Sequence, residues 1–379
     1  MEKKFYIVAG EASGDRNAAL LIRELKRLYP QAEICGVGGD QMRNAGQDQL
    51  FDLAAHAVVG LTDVLWNYFK FLYFFYRVVI DIRRKKPDAL ILVDYPGFNL
   101  SLAQEIKRRV PALPIIYYIG PQVWAWKSHR SRIMSRVVDL LLVIFEFEKQ
   151  WFAEREPKLK VEWVGHPLMD RWLENSEKQE TNDQMRRIAL LPGSREKEIS
   201  RHLPILLETA QRVRLFMPDV TFVLLTPDAE ARQQTEKIIH SNGAQGLNIE
   251  AYSGYQLTHL ERCDLALVAS GSATLECCVA GVPMLVLYKT SSLTFWIGRQ
   301  VVKLPFIGMV NILAGEKIVP EFLQEKARAD YLTEAIRKMA ARKAWRDEMK
   351  DNLRRVTQRL GGTGGSRRAA EAIQKLLTE

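Results

Sequence analysis

Cysteine is scarce in this 379-residue chain, and the four present, Cys35, Cys263, Cys277 and Cys278, form no CxxC pair. The six histidines show no HExxH or comparable ligand-gathering spacing. A disulfide framework and a zinc site of ordinary spacing are therefore excluded from the expectation, which is of a reduced, metal-free cytosolic protein. Also missing are an internal repeat of fixed short period, a low-complexity tract and a GxGxxG glycine pattern, so a solenoid is not expected and dinucleotide binding gains little support. The opening Met1 to Gly10 carries a basic pair and a short apolar run, but it leads into a glycine-rich loop rather than a small-residue cleavage site, and it reads as a first strand.

What the chain does have is positive charge and alternation. A formal net charge of +9 leaves three polyanionic partners open, namely nucleic acid, an anionic membrane surface and phosphorylated substrates. Aromatics on adjacent strands, the mark of common RNA-binding sheets, are absent, and no nucleic-acid partner is expected. Content of 47% hydrophobic and 26% charged residues fits an α/β chain that buries one or two cores. Short apolar runs at Phe5–Ala9, Glu33–Val37, Ala89–Asp94, Leu113–Ile119 and Leu140–Phe145 alternate with segments of helical period, among them Arg16–Leu28, Leu100–Val110 and Ile133–Val138. After the wholly polar ENSEKQETNDQ stretch the alternation restarts at Ile188–Leu191, Thr221–Leu225, Ile249–Tyr252, Leu265–Ala269 and Met284–Tyr288. The pattern predicts an α/β fold of two Rossmann-like doubly wound domains facing a cleft, with a helical C-terminal tail. The expected divisions are 1–173, a linker at 174–185, 186–326, and a basic helical tail at 327–379 that packs back on the first domain or on a partner subunit.

Three strand-to-helix junctions carry chemistry, because ligands of open α/β sheets lie beyond the carboxyl ends of strands, where helix N-termini point N–H groups at anions. In GEASGD, Gly10 and Gly14 allow close backbone approach, and Glu11, Ser13 and Asp15 offer hydrogen bonds to sugar hydroxyls. A plain βα turn with a capping Ser or Asp fits the same residues. In LLPGSREKEI, Gly193 and Ser194 open a helix with Arg195 in its first turn. A cation there opposes the macrodipole, so Arg195 is either turned to solvent or held for an anionic ligand. In LVASGSATLE, the small residues Ser270, Gly271, Ser272, Ala273 and Thr274 could seat a diphosphate, with Glu276 reaching a ribose diol, or could simply permit tight helix–sheet packing.

Asp94 ends the apolar run ALILVD just before Tyr95-Pro96-Gly97-Phe98-Asn99. It is a candidate general base, and equally a candidate helix cap or partner for an Arg. No DxD triplet occurs in the chain, so a leaving diphosphate is expected to rely on protein donors rather than a metal. The segment Val58 to Lys86 packs Trp66, Tyr68, Phe69, Phe71, Tyr73, Phe74, Phe75 and Tyr76 together and ends on Arg83-Arg84-Lys85-Lys86. Its polar residues, Asp63, Asn67, Lys70, Arg77, Asp81 and Arg84, recur at helical steps, which predicts one polar face and a broad aromatic face opposite. Interfacial membrane insertion through Leu65, Trp66, Phe69, Leu72 and Tyr73 is one reading, and a core helix packed on the sheet is the other.

Taken together and in order, GEASGD, DYPGFN, PQVWAW, VGHPL, LLPGSR, SGSATLE and MVNILAG resemble the successive signatures of the lipid-A-disaccharide synthase family, spanning Gly10 to Gly315. The resemblance implies a GT-B-type inverting glycosyltransferase that moves a diacylglucosaminyl group from UDP-2,3-diacylglucosamine to 2,3-diacylglucosamine 1-phosphate, forming a β-1,6-linked disaccharide and UDP. It implies Asp94 as general base, Glu11 as a substrate-contacting or catalytic carboxylate, Arg195 at the donor phosphate, Asn311 positioning substrate, and Ser272 to Glu276 holding UDP. Where some relatives carry a second acid in the loop after the base, this chain has Gly97. The family further implies a homodimer with exchanged C-terminal segments, on the cytoplasmic surface of the inner membrane. Rival readings are another lipid-acceptor GT-B glycosyltransferase, a nucleotide-sugar epimerase of the same architecture, and a non-catalytic membrane or nucleic-acid binding protein.

Overall fold

A computed structural model describes residues 3–52, 64–125, 128–173, 185–254, 257–291, 295–296 and 304–379. Of the linker expected at 174–185, residues 174–184 lie outside these residues, as do Trp126 and the side chains of Leu65, Trp66 and Phe69. The chain divides into two units, one of Met1–Asp170 with Leu360–Glu379, the other of Arg171–Arg359.

Each unit is built on one parallel sheet, as the alternation predicts. In the first, β1 (Lys4–Ala9), β2 (Glu33–Gly38), β3 (Asp48–Asp52), β4 (Ala89–Val93), β5 (Ile115–Tyr118), β6 (Leu140–Val143) and β7 (Val161–Trp163) are arranged β3-β2-β1-β4-β5-β6-β7. In the second, β8 (Arg187–Leu191), β9 (Thr221–Thr226), β10 (Ile249–Ser253), β11 (Leu265–Ala269), β12 (Met284–Tyr288) and β13 (Glu321–Leu323) are arranged β10-β9-β8-β11-β12-β13. Helices cover both faces of a parallel sheet, so its central strands carry continuous apolar runs, and β1, β4, β5 and β6 are buried almost throughout. The strand order reverses between β1 and β4 in the first unit and between β8 and β11 in the second. Such switch points open a crevice at the carboxyl edge, because the helices after the two strands leave in opposite directions.

Helix Ala12–Leu28 starts four residues before the expected Arg16, directly after the glycine-rich loop, and helix Pro96–Arg109 likewise starts at the proline after Asp94-Tyr95. Helix Val64–Lys85 lays Phe75, Val78, Val79 and Ile82 into the core under the first sheet. Its expected polar face does not hold together, because Asp81 is turned inward and accepts a hydrogen bond from the buried Tyr6 hydroxyl at 3.1 Å. The outer face is mixed instead, with Tyr73 58%, Tyr76 48% and Ile80 62% exposed beside exposed Arg77, Arg83 and Arg84. Leu72 is half-buried.

The segment expected as a tail is shared between the units. Helices Ala329–Ala341 and Lys343–Gln358 pack in the second, against Glu196–Arg214 and Ala273–Val279. Helix Gly365–Leu376 returns to the first and packs on Ala12–Leu28. Asp170 fixes that return, its carboxylate accepting from the N–H groups of Gly364, Gly365 and Ser366 at 2.6, 3.1 and 2.8 Å.

Candidate active site

In the first unit the switch point is occupied by the loop after β1 and the turn after β4. Asp94 and Tyr95 both take the left-handed region at φ 47°, uncommon for any residue with a Cβ and strained for a bulky tyrosine. Pro96 bars its predecessor from the right-handed helical region, and three hydrogen bonds hold the turn. The Asp94 N–H donates to Tyr118 O at 3.1 Å, and its carbonyl accepts from the Tyr117 hydroxyl at 2.6 Å and from Asn99 Nδ2 at 2.7 Å. The Tyr95 ring then lies over the preceding loop, where a Cβ on Gly10 would come within 2.2 Å of it. Gly10 is thus required by the turn across the switch point as well as by its own loop.

Glu11 stands at the N-cap of helix Ala12–Leu28 in an extended conformation, yet its side chain makes no capping bond. Asp94 is half-buried, and burial, helped by the charge of Glu11, pushes its carboxyl up to about 6. Two carboxylates therefore share this edge, one of them set near neutrality, which is the condition for a base that can take a proton at physiological pH. Ser13 is half-buried in the first helical turn and Gly14 is buried against the end of β4. Asp15 serves the fold: at 5% exposure its oxygens accept from the N–H groups of Gly39, Gln41 and Met42 at 2.8 to 3.0 Å, capping helix Asp40–Asn44.

The second unit brings the other two junctions to its own switch point. After β8, Gly193 turns at φ 119° and Arg195 becomes the N-cap of helix Glu196–Arg214. The Glu198 carboxylate accepts from the Ser194 and Arg195 N–H groups at 3.2 and 3.4 Å, and the Arg195 guanidinium meets it at 3.5 Å while remaining 74% exposed. The Arg195 guanidinium is thus exposed and tied to its own helix's first turn. After β11, Gly271 and Ser272 are exposed, whereas Ala273, Thr274 and Glu276 are buried. Thr274 Oγ1 donates to Gly271 O at 2.7 Å, Ser270 Oγ to Ile307 O at 2.9 Å, and Glu276 pairs with Arg171 at 3.4 Å.

Asn311 is fully buried with both ends of its amide in use. Its Nδ2 donates to Val319 O and Glu321 Oε1 at 2.9 and 2.8 Å, and its Oδ1 accepts from the Ile318 and Val319 N–H groups at 2.9 Å. Glu321 in turn accepts from the N–H groups of Ile307 and Gly308. Because Ile307 O also holds Ser270, the influence of Asn311 reaches the SGSATLE loop through the backbone.

Two residues that the motif reading passed over also hold loops at these sheet edges, one in each unit. Buried His202 donates from Nδ1 to Pro192 O at 2.8 Å and accepts at Nε2 from Lys289 N at 3.0 Å, a neutral ring tying the PGSR loop to the end of β12. Buried Glu148, pushed up to about 7 by burial, accepts from Trp124 Nε1 and Phe145 N at 2.8 and 3.0 Å, anchoring the PQVWAW loop. Its place three residues after Phe145, at N3 of helix Glu146–Arg155, is the one sequence signal for it, the spacing of a capping box. Among the described residues no cluster of three metal-ligand side chains occurs.

The family model described as lipid-A-disaccharide synthetase matches residues 5–376. A lipid-A-disaccharide synthase of Geobacter sulfurreducens is 36% identical over 380 residues, covering 99% of this chain and 97% of its own. Lipid-A-disaccharide synthase 1 of Legionella pneumophila strain Lens is 40% identical over 345 residues, covering 87% and 86%. Among solved structures, UDP-GlcNAc 2-epimerase from Neisseria meningitidis bound to UDP-GlcNAc superimposes with a TM-score of 0.63 at 13% identity, covering 99% of this chain and 100% of that one. That likeness is one of GT-B-like fold, and an epimerase on the same architecture shows that fold does not choose the reaction. The sequence relatives do choose: this chain belongs to the lipid-A-disaccharide synthase family, inverting glycosyltransferases that transfer a diacylglucosaminyl group in lipid A biosynthesis.

Proposed function

We propose that Asp94 is the base of this transfer and that the second unit supplies the donors for the leaving group. The acceptor is 2,3-diacylglucosamine 1-phosphate, whose 6-hydroxyl gives its proton to the Asp94 carboxylate. The oxygen attacks the anomeric carbon of UDP-2,3-diacylglucosamine from the face opposite UDP, the bond to the diphosphate breaks, and configuration inverts to the β-1,6 product. UDP departs as an anion stabilised by Arg195 and by N–H groups at Gly193–Ser194 and Ser270–Thr274, with Glu276 at the ribose end. Burial, with the charge of Glu11 added to it, keeps Asp94 from titrating at an ordinary carboxylate pH, and Glu11 lies where an acceptor hydroxyl would be oriented. Gly10 and Ser13 complete that edge. The observation carrying the reading is the pairing of Asp94 with Glu11 at the switch point of the first sheet.

UDP release from UDP-diacylglucosamine should depend on added diacylglucosamine 1-phosphate, and the product should be the β-1,6 disaccharide by mass and NMR. Release indifferent to that acceptor, or transfer only to a polyprenyl-linked one, would overturn the assignment; so would epimerised UDP-sugar as the sole product.

The enzyme works at the cytoplasmic face of the inner membrane, docked by helix Val64–Lys85. Its exposed Tyr73, Tyr76 and Ile80, flanked by Arg77, Arg83 and Arg84, offer apolar insertion and headgroup charge together. No helix among the described residues is long and apolar enough to cross a membrane. It acts as a homodimer, in which Gly361, Gly362 and Gly364, all at positive φ, let helix Gly365–Leu376 take its seat on a partner's Ala12–Leu28 as readily as on its own.

A further inference from the structure

We propose that Tyr117 is a positioning residue for Asp94, acting through the aspartate's main chain to aim its carboxylate, an inference that rests on Asp94 being the base. Tyr117 belongs to β5, in none of the motifs that mark the chain, and is fully buried. Its hydroxyl donates to the Asp94 carbonyl at 2.6 Å, with the Asn99 side chain beside it. A buried tyrosine hydroxyl in the middle of an aliphatic sheet costs stability unless it does something, and a phenylalanine would fill the same space.

The reason it is needed is the conformation of Asp94. At φ 47° its backbone stands in a region that side-chain-bearing residues enter only under constraint, and Tyr95 follows at the same angle. Released, the pair would relax toward extended backbone, turning the carboxylate away from its place across from Glu11. The Asp94 carbonyl is the point where that relaxation is resisted. Two donors converge on it from different elements, Tyr117 Oη from the neighbouring strand and Asn99 Nδ2 from the following helix at 2.7 Å, and Asn99 also holds Val93 O at 3.1 Å. The Asp94 N–H is held by Tyr118 O on the same strand as Tyr117. The titratable and charged groups acting on this knot are Glu11 and Tyr95 on the open side and, behind it, Tyr117 with Arg130.

The test compares Tyr117→Phe, Asp94→Asn and the double variant in the UDP-release assay with the two acylated sugars. Tyr117→Phe should lower kcat about 10- to 100-fold, the scale of a misplaced reacting group, with KM for both sugars and the melting temperature little changed. The acid limb of its kcat/KM profile should move below that of the wild type, itself expected at about 6, because a carboxylate free to turn to water titrates closer to its ordinary range. In the double variant the loss should be no larger than in Asp94→Asn alone, since Tyr117 has nothing left to aim. If Phe at 117 destabilises the unit, Asn99→Ser removes the other donor to the same carbonyl and carries the same expectations. Full turnover in Asp94→Asn would overturn the base itself. An inactive Asp94→Asn alongside Tyr117→Phe with unchanged kcat and acid limb, or losses that multiply in the double variant, would overturn the positioning role alone.

Discussion

At the scale of single residues, the site depends on how burial is distributed among similar side chains. Asp94→Asn should reduce turnover at least about a hundredfold, the lower range for a positioned general base, while UDP binding measured by calorimetry stays near normal. Wild-type kcat/KM should fall below pH about 6, as the base is protonated. The stability effect has the opposite sign. A carboxyl group whose folded pKa is raised destabilises the native state as pH climbs from its unfolded value through about 6, so above that pH Asp94→Asn should be more stable by roughly 2–3 kcal/mol, and at pH 4 nearly equal, in denaturant titrations. Arg195→Ala should weaken UDP-sugar binding about 10-fold or more through loss of a charge-assisted donor. Because Arg195 is 74% exposed, its removal should leave the melting temperature unmoved; a large drop in stability would assign it to the fold. The sequence showed which residue types gather at the junctions but not where each points. Asp15 and Asn311 sit inside motifs as Glu11 and Asp94 do, yet Asp15 caps a helix and Asn311 is fully bonded within the core. Three-dimensional neighbours such as Gly39 and Val319 decide that, and local pattern carries no trace of them.

At the scale of elements, the buried central strands were readable because an apolar run between breakers has few alternatives, and β1, β4, β8, β11 and β12 fall where the alternation puts them. The edge strands β3, β7 and β13 were not, since DQLFD, VEW and EFL are short, half-buried and charged, with no periodicity to set them apart from loop. Helix Val64–Lys85 was recognisable as amphipathic, but its faces were drawn by counting polar residues, and Asp81 breaks that count by pairing with Tyr6 inside. The exposed stripe Tyr73, Tyr76 and Ile80 makes the membrane reading testable without touching the core. Replacing all three by serine should sharply lower co-sedimentation with anionic vesicles, each large apolar side chain contributing about 1.5–3 kcal/mol when inserted, and should leave thermal unfolding unchanged. Activity on fully acylated sugars in bilayers should fall more than on short-chain substrates in solution. Unchanged vesicle binding would remove this face from the interface.

At the scale of the whole molecule, the two-sheet architecture was legible from alternation alone, whereas the path of the chain after residue 326 was not, because amphipathic helices show that they pack but not on what. The answer is that the first unit is discontinuous, borrowing helix Gly365–Leu376, whose Ala369, Ala370 and Ile373 are fully buried against it. A fragment 171–359 should therefore unfold cooperatively on its own. A fragment 1–170 should not, until a peptide of residues 360–379 is supplied, which circular dichroism and thermal melts of the mixture would show. In a growing chain this reverses the expected order of completion: the ribosome makes the second unit entire before releasing the segment that closes the first. A premature stop just before residue 360 would then spare the half of the protein nearest the break and undo the half made earliest, the one that holds Asp94.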